Sequence, residues 1–339
     1  MINYRDKLSE GTFIVALLID EHCIKQLLTM DDALAAVEEV FRAQGQGGAA
    51  SVTNVPRVRV PVKGGTLRIT AAVLSYRGYY GVKISSTAVF GRDAGRMFCL
   101  YREDTGALAA IVQVFAMGAM RTGAASGVAT KFLANDDAAI LGVLGSGRQA
   151  RTQVEAVCKV RTIREVRVYS PNQSHRDRFC IDMKNINKNN YLSVSSAENA
   201  VRGADVIVSA TTAEQPVVLG KWLKPGVHIN AIGANYEHRR ELDNDAVLAT
   251  KFICADDIEQ VRYESTDLAG PVNAGLLKWE QVRPLSEVVA GRTQGRTACE
   301  DITLFKSLGV AIEDVALAVC AYERALARNM GEQLPDLAG

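Results

Sequence analysis

The chain has 339 residues, 48% hydrophobic and 23% charged, enough for two ordinary domains with substantial cores. Its 39 basic and 38 acidic residues leave a formal charge of +1, which removes the bulk attraction expected of a nucleic-acid or membrane-surface binder. Seven widely spaced cysteines without a C-x-x-C pair argue against a disulfide framework or a zinc site and for a reducing cytoplasm.

The opening MINYRDKLSEGTFIVALLIDEH carries only a short apolar run flanked by acids, so no export signal is expected. Thr29 to Gly45 reads as a helix: Thr29 caps it, Asp31 and Asp32 suit the positive first turn, and Leu34, Val37 and Phe41 repeat on one face. The period then shortens. Pro56–Val62, Leu67–Val73, Tyr79–Ser85, Met97–Tyr101 and Ala107–Gln113 read as strands whose short separations predict an antiparallel meander. Phe115 to Ala134 is apolar, but Arg121 and Lys131 interrupt it and its Ala/Gly content is weakly hydrophobic, so a buried helix is expected and not a membrane span.

Beyond this helix, strands alternate with helix-length segments at Ala139–Gly145, Glu165–Ser170, Tyr191–Ser196, Asp205–Thr211, Val227–Gly233 and Phe252–Asp256. This pattern predicts a doubly wound parallel sheet covered on both faces. The polar KNINKNN, Lys184 to Asn190, reads as a surface connection. A last helix over Val310–Ala327, with Ile312, Val315, Val319 and Tyr322 on one side, is expected to pack back on the first domain.

Gly145-Ser146-Gly147-Arg148-Gln149-Ala150 is G-x-G-x-x-A directly after a buried strand and at the start of a helix, the context of a dinucleotide-binding turn. Gly145 permits the turn, Gly147 lets backbone approach a pyrophosphate, and Ala150 is small enough for close packing, while the helix N–H groups attract phosphate charge. The next strand ends at Ser170, followed by Pro-Asn-Gln-Ser-His-Arg with no carboxylate before Asp177. An NAD site uses an acid there for the ribose 2′-hydroxyl. Ser170, Asn172 and Arg176 instead suit a 2′-phosphate, so NADP is expected, with NAD as second choice.

MRTGAASGVATKFLA, ILGVLGSGRQA, INAIGAN with RREL, and ITLFKSLGVAIEDVALA together resemble the ornithine cyclodeaminase/mu-crystallin family, which also contains alanine dehydrogenases and ketimine reductases. The resemblance runs from about Leu28 to the last helix. It implies a Rossmann domain (123–309), a discontinuous α+β domain (1–122 and 310–339) that holds substrate and forms a homodimer, and an active site between them.

The resemblance places substrate groups on Arg57, Lys83 and Arg121. A small amino or imino acid needs its carboxylate held, and Arg does this bidentately. Arg57 and Arg59 share a strand face, so either suits the clamp, and the match through VPV favours Arg57. Lys83, on a mostly apolar strand, suits both anchoring and proton transfer. Thr122 is placed to donate to a cofactor phosphate, and Thr211 and Thr212 to flank the cofactor at a strand's carboxyl end. Where cyclodeaminases carry an aspartate, this chain has Asn235, which cannot take a proton at neutral pH.

The expectation is an NAD(P)H-dependent enzyme reducing a small imino acid to an amino acid, or the reverse. The alternatives are a cyclodeaminase-type lyase using bound NAD, and a non-catalytic nucleotide-binding protein. The four histidines lack metal-ligand spacing, and neither a metal nor a nucleic-acid partner is expected.

Overall fold

The computed structural model describes residues 16–47, 51–87, 96–236 and 238–335. Residues 1–15, which carry most of the segment read as lacking an export signal, lie outside them. The chain opens with β1 (Leu17–Ile19), α1 (Glu21–Leu27) and α2 (Met30–Gly47). It continues through β2 (Val52–Val62), β3 (Gly65–Leu74), β4 (Tyr79–Thr87), β5 (Met97–Arg102), β6 (Leu108–Gln113) and α3 (Phe115–Leu133). Then come β7 (Ile140–Leu144), α4 (Arg148–Val160), β8 (Glu165–Tyr169), α5 (Gln173–Lys184), β9 (Asn190–Ser193), α6 (Ala197–Val201), β10 (Val206–Ser209) and β11 (His228–Ala231). Last are α7 (Asn244–Leu248), β12 (Phe252–Ala255), α8 (Ile258–Glu264), α9 (Thr266–Asn273), β13 (Val282–Pro284), α10 (Leu285–Val289), β14 (Thr303–Lys306), α11 (Ala311–Arg328) and β15 (Glu332–Gln333).

Two sheets organise the molecule. The meander forms one, in the order β15-β1-β6-β5-β4-β3-β2, with β1 lying parallel to β6 and the other pairs antiparallel. Its inner face buries Ala72, Leu74, Phe98, Leu100 and Val112 in one cluster with α11, whose Ile312, Val315, Val319 and Tyr322 are buried. The last helix therefore packs on the first sheet, as its apolar stripe predicts. The outer face is apolar too: Val58, Ile69, Ile84 and Met97 are cross-strand partners in one row, and Val58, Ile84 and Met97 are 48%, 46% and 50% exposed.

The second sheet is parallel throughout, in the order β13-β12-β14-β11-β10-β7-β8-β9. From β7 the chain winds one way to β8 and β9, then returns to the other side of β7 with β10 and β11. This reversal opens a crevice between the carboxyl ends of β7 and β10, the place where doubly wound sheets bind ligands. Sequence reasoning missed β14, which lies between β11 and β12 with all four residues buried. Its TLFK is short and ends in a lysine, normally a surface residue. Here Lys306 is 0% exposed because its ammonium meets Asp267 at 2.9 Å.

α3 joins the two sheets and is buried over most of its length, as its composition predicts. A Cβ at Gly123 would stand 2.4 Å from the Thr152 carbonyl oxygen, and one at Gly127 would stand 3.0 Å from the Ala156 Cβ, so α3 and α4 touch backbone to backbone. No described helix is long and apolar enough to cross a membrane. All seven cysteines are free thiols, and no potential metal cluster occurs among the described residues.

Candidate functional site

At the crevice, Gly145 has φ of +105°, and a Cβ there would lie 2.5 Å from the Ala210 carbonyl oxygen. Only glycine tolerates both the conformation and the approach of β10. Gly147 is different. It caps α4 with an extended backbone, and a Cβ there would meet nothing within 4 Å. The space above Gly147 is thus kept clear, beside the unpaired N–H groups of the first turn of α4. Gly147, Arg148, Gln149, Thr211 and Thr212 line one side of a cavity of about 360 Å³ between the two sheets.

Ser146, Ser170, Asn172 and Arg176 converge at the carboxyl end of β8. Ser146 Oγ lies 2.9 Å from Ser170 Oγ, and Ser170 donates to the Asn172 carbonyl at 3.2 Å. Asn172 caps α5 by accepting from the His175 N–H. Arg176 donates to the Ser170 carbonyl at 2.9 Å, and its Nε is buried without a partner. Asp177, the first acid after β8, accepts from Ser193. The four residues therefore lie together, with the first acid after β8 bonded to Ser193.

Two residues expected beside the cofactor already spend their hydroxyls within the protein. Thr122 lines the cavity but donates its hydroxyl to the Gly118 carbonyl, 2.8 Å away, as helical threonines do. Thr211 gives both its N–H and its hydroxyl to Glu241 Oε1, at 2.7 and 2.8 Å. The other oxygen of that buried carboxylate accepts from the Gly233 and Ala234 N–H groups, which ties the carboxyl ends of β10 and β11 together. Asp267 completes the brace by accepting from the Glu241 and Leu242 N–H groups and from Lys306.

Arg57, Lys83 and Arg121 line the opposite side of the same cavity. Lys83 on β4 and Arg121 on α3 share Asp314: Lys83 bonds one oxygen, and Arg121 Nε reaches the other at 3.1 Å. Arg121 also donates to Glu313 at 2.9 Å. Burial pushes the Lys83 ammonium down to about 8, with Asp314 resisting and Arg121 assisting. The same burial would raise Asp314, but Arg121 and Lys83 hold it below its ordinary value. Glu313, buried and with Oε1 unpartnered, is pushed up to about 8 by desolvation despite Arg121. Gly309 has φ of +75°, and a Cβ there would lie 2.2 Å from an Arg121 guanidinium nitrogen, so glycine makes room for the arginine.

Arg57 follows a register shift in the β2–β3 pairing between Val55 and Val58. It donates to Glu264 at 2.8 Å and to the Leu308 and Gly309 carbonyls at 2.9 Å. Arg59 binds the other Glu264 oxygen at 3.0 Å and the Asn235 carbonyl at 3.1 Å, and is not part of the cavity lining. Asn235 lines the cavity with Oδ1 buried and unpartnered. It is not a helix cap; Asp243 caps α7.

Sequence reasoning missed the acids that position these cations. Glu313 and Asp314 open α11, where acids are routine complements to the helix dipole, and only the fold shows them aimed at Arg121 and Lys83. Asp256 reads equally as a strand-end acid, yet it accepts from the Leu308 and Gly309 N–H groups at 2.7 Å and holds the turn that carries Arg57's carbonyl partners. Arg68 and Thr70, also in the lining, were overlooked. Two-residue alternation in LRIT was the available signal, since it sets both on the face of Lys83.

Residues 15–329 match the ornithine cyclodeaminase/mu-crystallin family. The alanine dehydrogenase of Archaeoglobus fulgidus is 35% identical over 327 residues, covering 94% of this chain and 98% of that protein. Among solved structures, the Thermococcus litoralis Δ1-pyrroline-2-carboxylate reductase in complex with NADH and L-proline superposes with a TM-score of 0.89 at 35% identity, covering 94% of this chain and 100% of the other. An archaeal alanine dehydrogenase dimer with bound NAD superposes with a TM-score of 0.87 at 34% identity, covering 94% and 99%. This chain belongs to the ornithine cyclodeaminase/mu-crystallin family.

Proposed function

We propose that this protein is an NAD(P)H-dependent oxidoreductase that reduces a small imino acid to the amino acid, or runs the reverse reaction. One observation carries the reading: a clear dinucleotide turn at Gly147 and the cations Arg57, Lys83 and Arg121 line a single cavity. The relatives support it. The Thermococcus protein binds NADH and an amino acid together, and the Archaeoglobus relative is an alanine dehydrogenase.

In this reading the open space at Gly147 and the first turn of α4 hold the coenzyme pyrophosphate, with Arg148 and Gln149 beside it. When bound, the reduced nicotinamide supplies a hydride to the imine carbon. Arg57 and Arg121, fixed from behind by Glu264, Glu313 and Asp314, orient the substrate carboxylate. Lys83, charged below about pH 8, gives the imine nitrogen its proton, so one proton and one hydride are consumed per C=N bond. The Asn235 amide orients a polar substrate or cofactor atom but takes no proton, which disfavours the lyase reading. Ser170, Asn172 and Arg176 favour NADP over NAD.

We place the division into domains at 1–122 with 310–339 and at 123–309, and the protein in the cytoplasm. The outer row of Val58, Ile69, Ile84 and Met97 is the surface on which a homodimer closes. The test is to mix the pure protein with NADPH or NADH and a panel of ketimines and follow the loss of coenzyme absorbance. Oxidation with at least one imine supports the reading. Ammonia release from ornithine without added reductant, and no coenzyme oxidation, overturns it in favour of the lyase.

A further inference from the structure

The cavity lining contains seven cations, Arg68, Arg96, Arg148 and Arg239 besides the three substrate cations, and no carboxylate among the described residues. Arg57, Lys83 and Arg121 each have a buried acid behind them. Arg68 has none. Its Nε is buried without a hydrogen-bond partner, and no described residue forms an ion pair with it. Its guanidinium lies 5.1 Å from the centre of the Tyr236 ring, which also carries Arg59 at 4.8 Å and Arg239 at 4.7 Å. Glu264 is bound by Arg59 and Arg57 and attracts Arg68 only through space, without a hydrogen bond to it. Burial lowers Arg68 to about 10, and Arg57, Arg59 and Arg96 add to the effect by repulsion. Like charges crowded around one ring, facing a cavity, need an anion supplied from outside.

The sheet fixes where that anion would lie. Thr70 stands opposite Lys83 in the β3–β4 ladder, and Arg68 stands opposite Ser85. Arg68 is thus displaced from the Lys83 position by two residues, about 7 Å along the strand, on the same face. Thr70 Oγ1 is buried and unpartnered at the Lys83 end of this span. Arg239 approaches the same point from the segment after β11, across the cleft.

Resting on the oxidoreductase reading above, we infer that the substrate carries a second carboxylate, bound by Arg68 with Arg239 facing it, so that the enzyme works on the imine of a short dicarboxylic amino acid with four or five carbons. The first carboxylate and the C=N bond lie at Arg57, Lys83 and Arg121. The Thr70 hydroxyl supplies a hydrogen bond beside Lys83.

The experiment compares kcat/KM, with each coenzyme, for imines formed from ammonium and oxaloacetate, 2-oxoglutarate or pyruvate, and for Δ1-pyrroline-2-carboxylate. It uses the wild type, Arg68→Met and Arg68→Lys. A dicarboxylic imine is expected to exceed the monocarboxylic ones by about tenfold or more, since the half-buried guanidinium is otherwise left without a hydrogen-bonded acid. Arg68→Met is expected to collapse that ratio toward one, and Arg68→Lys to restore part of it. Coenzyme titration of each variant checks that the fold is intact. Succinate is expected to compete in the wild type far better than propionate, and to lose this advantage in Arg68→Met. No dicarboxylate preference in the wild type, or an equal loss for every imine in Arg68→Met, overturns the inference while leaving the oxidoreductase reading standing. If no imine is turned over, it is that reading which fails, and direct binding of succinate against propionate then decides the inference on its own.

Discussion

Replacing Asp314 with Asn keeps the shape of a buried side chain and removes its charge. Asp314 is 0% exposed, and its two oxygens meet Lys83 and Arg121. Glu313 does not substitute for it, because burial lifts that carboxyl to about 8 and leaves it largely protonated at neutral pH. Unit charges about 4 Å apart attract by about 4 kcal/mol at an effective dielectric constant near 20. One pH unit corresponds to about 1.4 kcal/mol, so losing Asp314 lowers the Lys83 pKa by up to about three units. Lys83 starts at about 8, which puts the variant's lysine mostly neutral at pH 7. In the wild type, imine reduction that needs the Lys83 proton falls as pH rises through about 8. In Asp314→Asn this alkaline limb of kcat/KM is expected to move two to three units toward acid. Glu313→Gln separates the two groups that titrate near 8, and its limb is expected to stay in place. Thermal unfolding should show a loss of about 3–5 kcal/mol in Asp314→Asn, the cost of stranding buried cations. A folded Asp314→Asn protein with its limb still near pH 8 would refute the assignment of the proton to Lys83.

Gly147→Val is expected to fold, losing about 1 kcal/mol at most as a poorer helix cap, while coenzyme affinity measured by titration drops tenfold or more. Gly145→Ala is expected to do the opposite, costing about 1–3 kcal/mol in denaturant unfolding through its positive φ and the contact with Ala210. Arg176→Gln should weaken NADPH binding several-fold more than NADH binding, and equal effects would remove the case for a 2′-phosphate site. Burial holds His228 neutral down to about 3, whereas an unfolded histidine takes its proton near 6.5. Stability is therefore lost as pH falls from 6.5 toward 3, by about 1.4 kcal/mol per unit, and urea unfolding of His228→Asn should lack this component. Ile84→Asp puts a charge in the outer apolar row and is expected to shift the sedimenting species from dimer to monomer.

What the sequence disclosed follows from how local each signal is. Gly145 and Gly147 stand next to a strand and a helix that their own residues specify, and the structure gives Gly145 the positive φ of a tight turn and leaves the space at Gly147 open. The meander and the apolar α3 were legible for the same reason. β14 was not, because a buried lysine looks polar until Asp267, 39 residues earlier, is seen against it. Nor were the acids behind the cations. Asp314 lies 231 residues from Lys83, and Glu264 lies 207 from Arg57, so no window of sequence contains either pair. Thr122 shows the converse, since it lines the cavity as expected yet spends its hydroxyl on the Gly118 carbonyl, which residue type alone does not reveal.

The arrangement of these acids bears on how the two sheets act together. An arginine free to swing loses rotamer entropy when it closes on a carboxylate, whereas one already held by Glu264 and two carbonyls has lost it on folding. The carbonyls belong to Leu308 and Gly309, just after β14 of the parallel sheet, and Arg57 belongs to β2 of the other sheet. Asp256, at the end of β12, fixes the same turn by its N–H groups, and Gly309 is where Arg121 packs. The cation cluster is therefore built across the gap between the sheets and cannot form on one alone. A shift of the parallel sheet would move the carbonyl partners of Arg57, so the separation of Thr212 and Arg57 across the cavity depends on this one turn.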